Sequence, residues 1–251
     1  MSGHSHWAGI KAKKGVADAK RGKIFSKLSK DIMLAVREGG VDPKMNIRLR
    51  YAIDKARENN MPKDNIERAI QKAAGNGSGA ALAELTYEGY GPGGVAIMID
   101  VLTDNRNRTA SELRKLFETG GGNMGASGCV AYNFDKKGII SVLAESIDED
   151  KLMECALEAG AEDVQREGEV FEVTTSVSDF RAVRDALEQA EIKLEEAEIT
   201  YIPKSTTAVT EDIAKKVLAM ISKMEDHDDV ETVVSNADIS DEIMQKISDE
   251  D

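Results

Sequence analysis

The sequence has little of what enzymes and secreted proteins are built from. Its 251 residues include only two cysteines, three histidines, four prolines and eleven aromatic side chains, one of them tryptophan. Cys129 and Cys155 lie far apart with no Cys-x-x-Cys spacing, which excludes a disulfide framework and a zinc ribbon and leaves two buried free thiols as the expectation. No stretch approaches the roughly 18 to 20 consecutive apolar residues of a membrane span. The start also lacks the apolar core of a secretory signal, because Trp7 and Ile10 run straight into Lys11. A cytoplasmic protein with no membrane partner is expected.

Catalytic chemistry is equally thinly supplied. His4 and His6 stand near the start and His227 sits in the acidic run "EDHDD", and none of them belongs to a convergent set of metal ligands. The serines have no nucleophile-elbow setting, and no Cys/His pair is indicated. The expectation is no catalytic residue, no metal, no cofactor and no small-molecule substrate, so not an enzyme.

What the chain does have is charge, unevenly placed. Its net charge is -13, yet residues 1–75 carry 17 Lys and Arg against 8 Asp and Glu, while the rest carries 16 against 38. A head of +9 thus precedes a body of -22. Screening over about 8 Å at physiological salt keeps the two fields separate when the parts are further apart than that. The head attracts phosphates and the body repels them, which makes nucleic-acid binding one-sided.

The head reads as three helices. Ile24, Phe25, Leu28, Ile32, Ala35 and Val36 fall on one face at helical spacing, and Lys20, Lys23, Lys27, Lys30 and Arg37 form a stripe beside it. Gly39-Gly40 ends that helix. Asp42-Pro43 predicts the start of the next, with Met45, Leu49, Ala52, Ile53 and Ala56 as its core face. Pro62 opens a third helix, with Ile66, Ala69, Ile70 and Ala73 inward, and the run "GNGSG" at 75–79 reads as a linker.

Beyond the linker the period changes. Strands are predicted at 85–90, 94–102 and 129–134, with a helix over about 109–119. From residue 139 the order is strand, helix, strand, strand, helix, strand, the βαββαβ unit of ferredoxin-like folds. A helix over about 210–224 and a strand at 229–235 are left to complete the first sheet. The expected fold class is α+β in three domains: a basic helical domain at 1–78, a discontinuous α/β domain from 79–135 and 206–251, and a ferredoxin-like domain at 136–205 inserted into it. The acidic tail after Asn236 reads as frayed.

Three stretches, two of them glycine-rich, are candidate sites. "YEGYGPGG", 87–94, lacks the spacing of a dinucleotide or P-loop motif and reads as a β-turn, in which an exposed Tyr90 offers a ring to a base. "DNRNRT", 104–109, leads into a helix with a Thr109-x-x-Glu112 capping box. Arg106 and Arg108 there either hold a phosphate at the helix N-terminus or pair with neighbouring acids. "TGGGNMGASG", 119–128, reads as a mobile loop that approaches a partner backbone closely.

The start "GHSHWAGIKAKKGVADAKRGKIFSKL", with "YEGYGPGG", "LTDNRNRT" and "ALEAGAEDV", resembles the YebC family of bacterial proteins, which includes mitochondrial translational activators. The likeness runs over almost the whole chain. His6 stands before Trp7 where many members have lysine, which lowers the local charge. The resemblance implies a three-domain fold and a cytoplasmic, nucleic-acid-associated regulator of gene expression. Members are described as DNA-binding transcriptional regulators, and the family is also linked to ribosomes and to translation of proline-rich stretches.

The candidate phosphate-binding residues are Lys11, Lys13, Lys14, Lys20, Arg21, Lys23, Lys27, Lys30, Arg48, Arg50, Arg106 and Arg108, with DNA or ribosomal RNA as the partner. Two other classes compete: an interaction module whose acidic body binds a basic protein, and an enzyme whose glycine-rich loops hold a phosphorylated substrate. The missing general base argues against the second.

Overall fold

The structure is a computed structural model and describes residues 18–75 and 82–250. The chain is mixed α+β, with a helical head followed by two α/β units. In the head, α1 (Asp18–Gly39), α2 (Ile47–Glu58) and α3 (Lys63–Ala74) enclose Leu28, Ile32, Ala35, Leu49, Ile53, Ala56, Ile66 and Ala69. These are residues that recur at helical spacing, so the pattern and the packing agree.

The second helix starts later than Asp42-Pro43 predicts. Asp42 instead closes a turn, its Oδ1 accepting from the Lys44 amide at 2.9 Å, and Asn46 is the N-cap, accepting from the Leu49 amide at 3.0 Å. The buried Asn46 amide also donates to the Ala35 and Gly40 carbonyls, each at 2.7 Å, so one side chain closes α1 and opens α2. A Cβ on Gly39 would meet it at 2.6 Å, which is why that position is glycine. Met45, expected in the core, falls outside α2 and is 83% exposed.

The second unit is a four-stranded sheet in the order β3-β1-β2-β9, from β1 (Ala83–Tyr90), β2 (Ala96–Thr103), β3 (Asn123–Met124) and β9 (Val230–Ser235). Central β2 reads "AIMIDVLT", almost continuously apolar, because both of its faces are covered. On one face α4 (Arg106–Thr119) and α7 (Glu211–Glu225) bring Leu113, Phe117, Val217, Met220 and Met224 onto Ile97, Ile99 and Val101. Each such fully buried side chain contributes about 1.5–3 kcal/mol of transfer free energy. On the other face Ala96 and Met98 pack with Val130 and Phe134.

The third unit is inserted between β3 and α7. It runs β4 (Phe134–Leu143), α5 (Glu149–Glu158), β5 (Asp163–Glu167), β6 (Val170–Thr175), α6 (Phe180–Gln189) and β7 (Leu194–Pro203). The sheet order β5-β6-β4-β7, antiparallel throughout, is that of the ferredoxin-like fold.

Two segments differ from expectation. The strand predicted at 129–134 is a loop and a 3-10 turn (Ala131–Asn133), because the Glu88 carboxylate takes the amides that a strand would have paired. The tail folds back: β10 (Ala237–Asp238) pairs parallel with β8 (Thr207–Ala208), and α8 (Asp241–Glu250) buries Met244.

Candidate nucleic-acid interface

Three lysines of the α1 stripe face the protein's own body. Lys23, Lys27 and Lys30, spaced to share one face, reach the C-terminus of α7 and the loop after it. Lys23 Nζ donates to the Asp226 carbonyl at 2.9 Å and Lys27 Nζ to the Glu225 carbonyl at 2.7 Å. Lys30 Nζ donates to the Asp228 carbonyl at 3.0 Å and pairs with Asp229 Oδ1 at 2.6 Å. The end of a helix concentrates carbonyls without intrahelical partners and partial negative charge, so three ammonium groups are well placed there. Burial pulls the Lys27 ammonium below the usual lysine value against the opposing pull of Glu231 and Glu225.

Asp229 is the hub of this contact and is 2% exposed. Its Oδ2 accepts from Arg108 Nη2 at 2.6 Å, from Thr109 Oγ at 2.7 Å and from Thr103 Oγ at 3.1 Å. Burial alone would raise its carboxyl, but the hydrogen bonds from Lys30, Arg108 and Thr109 outweigh burial and hold it well below the ordinary carboxylate range. Of the two alternatives at the start of α4, Arg108 takes the pairing with the chain's own acids, Asp229 at 2.6 Å and Asp104 at 3.2 Å. The cap there is Asn105, accepting from the Arg108 amide at 3.1 Å, rather than Thr109, whose hydroxyl turns inward to Asp229.

His227 supports the same loop. Its Nδ1 accepts from the Asp229 amide at 3.1 Å, which leaves the ring proton on Nε2 to meet Glu112 Oε2 at 2.9 Å. Both ring nitrogens are occupied. Among the described residues no group of three or more His, Cys, Asp or Glu side chains is arranged to hold a metal.

Other candidates are also engaged within the protein. Arg48 pairs with Glu38 at 2.7 Å and with Glu84 of β1, tying α2 to the sheet. Arg50 lies 6.0 Å from the Tyr51 ring centre, and Arg181 and Arg184 of α6 lie over the same ring at 5.7 and 4.8 Å. This second clasp joins the head to the inserted unit, and the sequence offered no signal for it. Arg106 is exposed, its backbone carbonyl accepting from the Tyr87 hydroxyl at 3.2 Å. Lys11, Lys13 and Lys14 lie outside the described residues, as do the side chains of Lys20 and Arg21 on the first turn of α1. Arg57 and Lys63 are 70% and 85% exposed and, among the described residues, pair only with exposed acids of their own helices, Asp54 at 3.3 Å and Glu67 at 3.5 Å.

Between head and sheet lie two acids that water does not reach well. Burial, reinforced by the nearby Asp31, pushes the Glu231 carboxyl up to about 7, and its Oε1 has no hydrogen-bond partner. Burial also raises Asp31, opposed by Lys55 at 3.8 Å. In the inserted unit burial pushes Glu172 up to about 7 as well. A carboxyl raised in the folded state binds a proton that the unfolded chain has already released, so stability falls as pH rises from about 4.5 to 7 and is level above that. The melting temperature should accordingly rise on going from pH 8 to pH 6, by the equivalent of about 1 kcal/mol per group. Glu231→Gln and Glu172→Gln should each flatten that slope, and a slope unchanged in both would contradict the assignment.

Fold and site together define a class: an α+β protein with a basic helical head clasped onto an acidic two-part body. Residues 5–76 match the family model described as the TACO1/YebC protein N-terminal domain, and residues 82–237 match that of the TACO1/YebC second and third domain. The chain belongs to the TACO1/YebC family. A relative from Natranaerobius thermophilus, named "Probable transcriptional regulatory protein", is 54% identical over 98% of this chain and 99% of its own length. One of the same name from Geotalea uraniireducens is 56% identical, covering 98% of this chain and all of the relative. The crystal structure of a conserved hypothetical protein from Aquifex aeolicus superposes with a TM-score of 0.84 at 48% identity, over 94% of this chain and 98% of that one. Among the described residues no helix is long and apolar enough to cross a membrane.

Proposed function

We propose that the protein is a cytoplasmic, nucleic-acid-binding regulator of gene expression that works by binding, without a catalytic step or cofactor. The observation that carries this reading is the segregation of charge, +9 over residues 1–75 against -22 over the rest. Lys23, Lys27, Lys30, Arg48 and Arg108 are committed to the protein's own acids and carbonyls. Phosphate contacts then fall to Lys11, Lys13, Lys14, Lys20 and Arg21, with the exposed Arg57, Lys63 and Arg106 as further anchors and Arg50 held at the Tyr51 clasp. The net negative charge of the body limits the phosphate contacts it can add.

The name of the relatives, probable transcriptional regulatory protein, favours transcription, and with it DNA as the target. A second reading, ribosomal RNA as the target and translation as the task, is favoured by the docking of α1. A helix whose cationic face lies on the body is not available to a major groove, and sequence readers present base-contacting side chains on such a helix. Co-sedimentation of the full chain with ribosomes, in parallel with binding to duplex DNA of varied sequence, separates the readings. Movement with ribosomes at physiological salt supports translation, and discrimination among duplexes by several kcal/mol supports transcription. Failure of both would sink the proposal.

A further inference from the structure

Among the described residues two aromatic side chains are exposed, Tyr132 at 71% and Tyr90 at 37%. They are neighbours in the fold: the Tyr90 hydroxyl donates at 2.9 Å to the carbonyl of Cys129, three residues before Tyr132. Single exposed aromatic groups are ordinary, but two exposed close together make a patch of the kind that marks interaction sites.

The backbone that presents them is fixed from below. Glu88, 5% exposed, accepts from the Gly128 amide at 2.6 Å through Oε1, and from the Val130 and Ala131 amides at 2.9 and 2.8 Å through Oε2. On the other side of Tyr132, Asn133 accepts from the Ser205 hydroxyl at 2.7 Å and donates to the Ser205 carbonyl at 2.9 Å. Close packing of the glycine-rich loop holds the Tyr90 end, since a Cβ on Gly122 would overlap the Tyr90 carbonyl and one on Gly89 would lie 2.5 Å from that of Asn123. Rigid aromatic groups on an ordered backbone lose little entropy when something stacks on them.

The surroundings suit an anionic strand. The Glu88 charge is turned inward onto three amides, Lys204 offsets Asp135 at 3.0 Å, and Lys136 lies 5.1 Å over the Tyr201 ring on the adjoining strand pair. An exposed aromatic ring that carries a hydroxyl matches a nucleobase, which has a π-face and a hydrogen-bonding rim, better than it matches an aliphatic side chain.

We propose that Tyr90 and Tyr132 form a stacking platform for an unpaired nucleobase of a single-stranded nucleic acid. The inference rests on the nucleic-acid reading above and deepens it, because bases already stacked in a duplex are not available to the platform.

The test is fluorescence anisotropy of the full-length protein with a labelled 12-nucleotide RNA, the DNA strand of the same sequence, and the corresponding duplex. Tyr132→Ala and Tyr90→Ala should each weaken single-strand binding roughly tenfold, as loss of a stacked base does. Tyr132→Phe, which keeps the ring, should bind within about twofold of wild type on the same stacking argument. Duplex affinity and the salt slope should be unchanged, because the contact neutralises no phosphate. Comparing the RNA with its DNA counterpart tells which strand the platform accepts. Melting curves check that each variant folds, as expected for exposed positions. Equal single-strand affinity of wild type and Tyr132→Ala overturns the platform and leaves the nucleic-acid reading standing. Failure of wild type to bind any of the three probes overturns both.

Discussion

Asp229→Ala should lower the melting temperature and loosen the head from the body. The substitution removes the acceptor shared by Lys30, Arg108, Thr103 and Thr109, at distances of 2.6, 2.6, 3.1 and 2.7 Å. It leaves the Lys30 ammonium without its carboxylate, while Arg108 keeps Asp104 at 3.2 Å and Glu112 at 3.8 Å. Removing one member of a buried pair costs about 3–5 kcal/mol. Because Arg108 is 44% exposed, water recovers part of that loss, and about 2–4 kcal/mol is the expected range. Thermal unfolding with limited proteolysis reads both effects, the second as new cleavage between head and sheet. Asp229→Asn should be milder, since an amide oxygen still accepts from the two threonines. An unaltered melting curve for Asp229→Ala would mean that the lysine bonds to the α7 carbonyls hold the head by themselves.

Glu88→Ala should be comparably damaging at the far end of the second unit. Burial would raise the Glu88 carboxyl, and the three amides of Gly128, Val130 and Ala131 outweigh it and hold it below the usual carboxylate value. Without the carboxylate these donors lose their partner, at about 1–3 kcal/mol for each one that water does not reach. Val130 is the buried one, so a total of about 2–4 kcal/mol is expected. Glu88→Gln should rescue only in part, because its oxygen can keep the Val130 and Ala131 amides while its amide group turns a donor toward the Gly128 amide. The readouts are the melting temperature and proteolysis within 126–133, and intact protection of that loop would show that the glycine packing alone orders it. As a depressed acid, Glu88 contributes stability that is lost only as pH falls through its folded pKa, so this effect is separable from the neutral-range titration of Glu231.

The parts of the fold readable in the sequence are those written in local periodicity. The core faces of α1, α2 and α3 and the order of the βαββαβ unit follow from spacing that each segment carries by itself. What escaped reading depends on pairings between distant residues. The strand expected at 129–134 has the right composition, but Glu88, about forty positions earlier, takes its amides. Asp42-Pro43 has the form of a helix start, yet Asn46 wins because its amide also satisfies the end of the preceding helix.

The candidate site divides in the same way. The lysine stripe was legible as a stripe, and its geometry on α1 is as the spacing indicates. Which way it faces was not legible, because its partners lie 198 to 203 positions away in an acidic run that reads as solvated surface. Asp229 gives no signal of its own among the acids and the histidine around it. Tyr132 likewise sits in what reads as strand, where an aromatic residue is ordinary.

The central claim is that the head binds nucleic acid through its first basic segment while the Lys23/Lys27/Lys30 face belongs to the fold. Affinity for a labelled RNA and a labelled duplex, measured against salt for two variants, tests it most directly. Lys11, Lys13 and Lys14 changed together to Ser should weaken binding and reduce the log–log salt slope by about 2 to 3, at roughly 0.7–0.9 for each phosphate no longer neutralised. Lys23 and Lys27 changed together to Met should leave that slope unchanged and lower the melting temperature. The opposite pattern, a slope reduced by the Lys23 and Lys27 changes and kept when Lys11, Lys13 and Lys14 are replaced, would contradict the account.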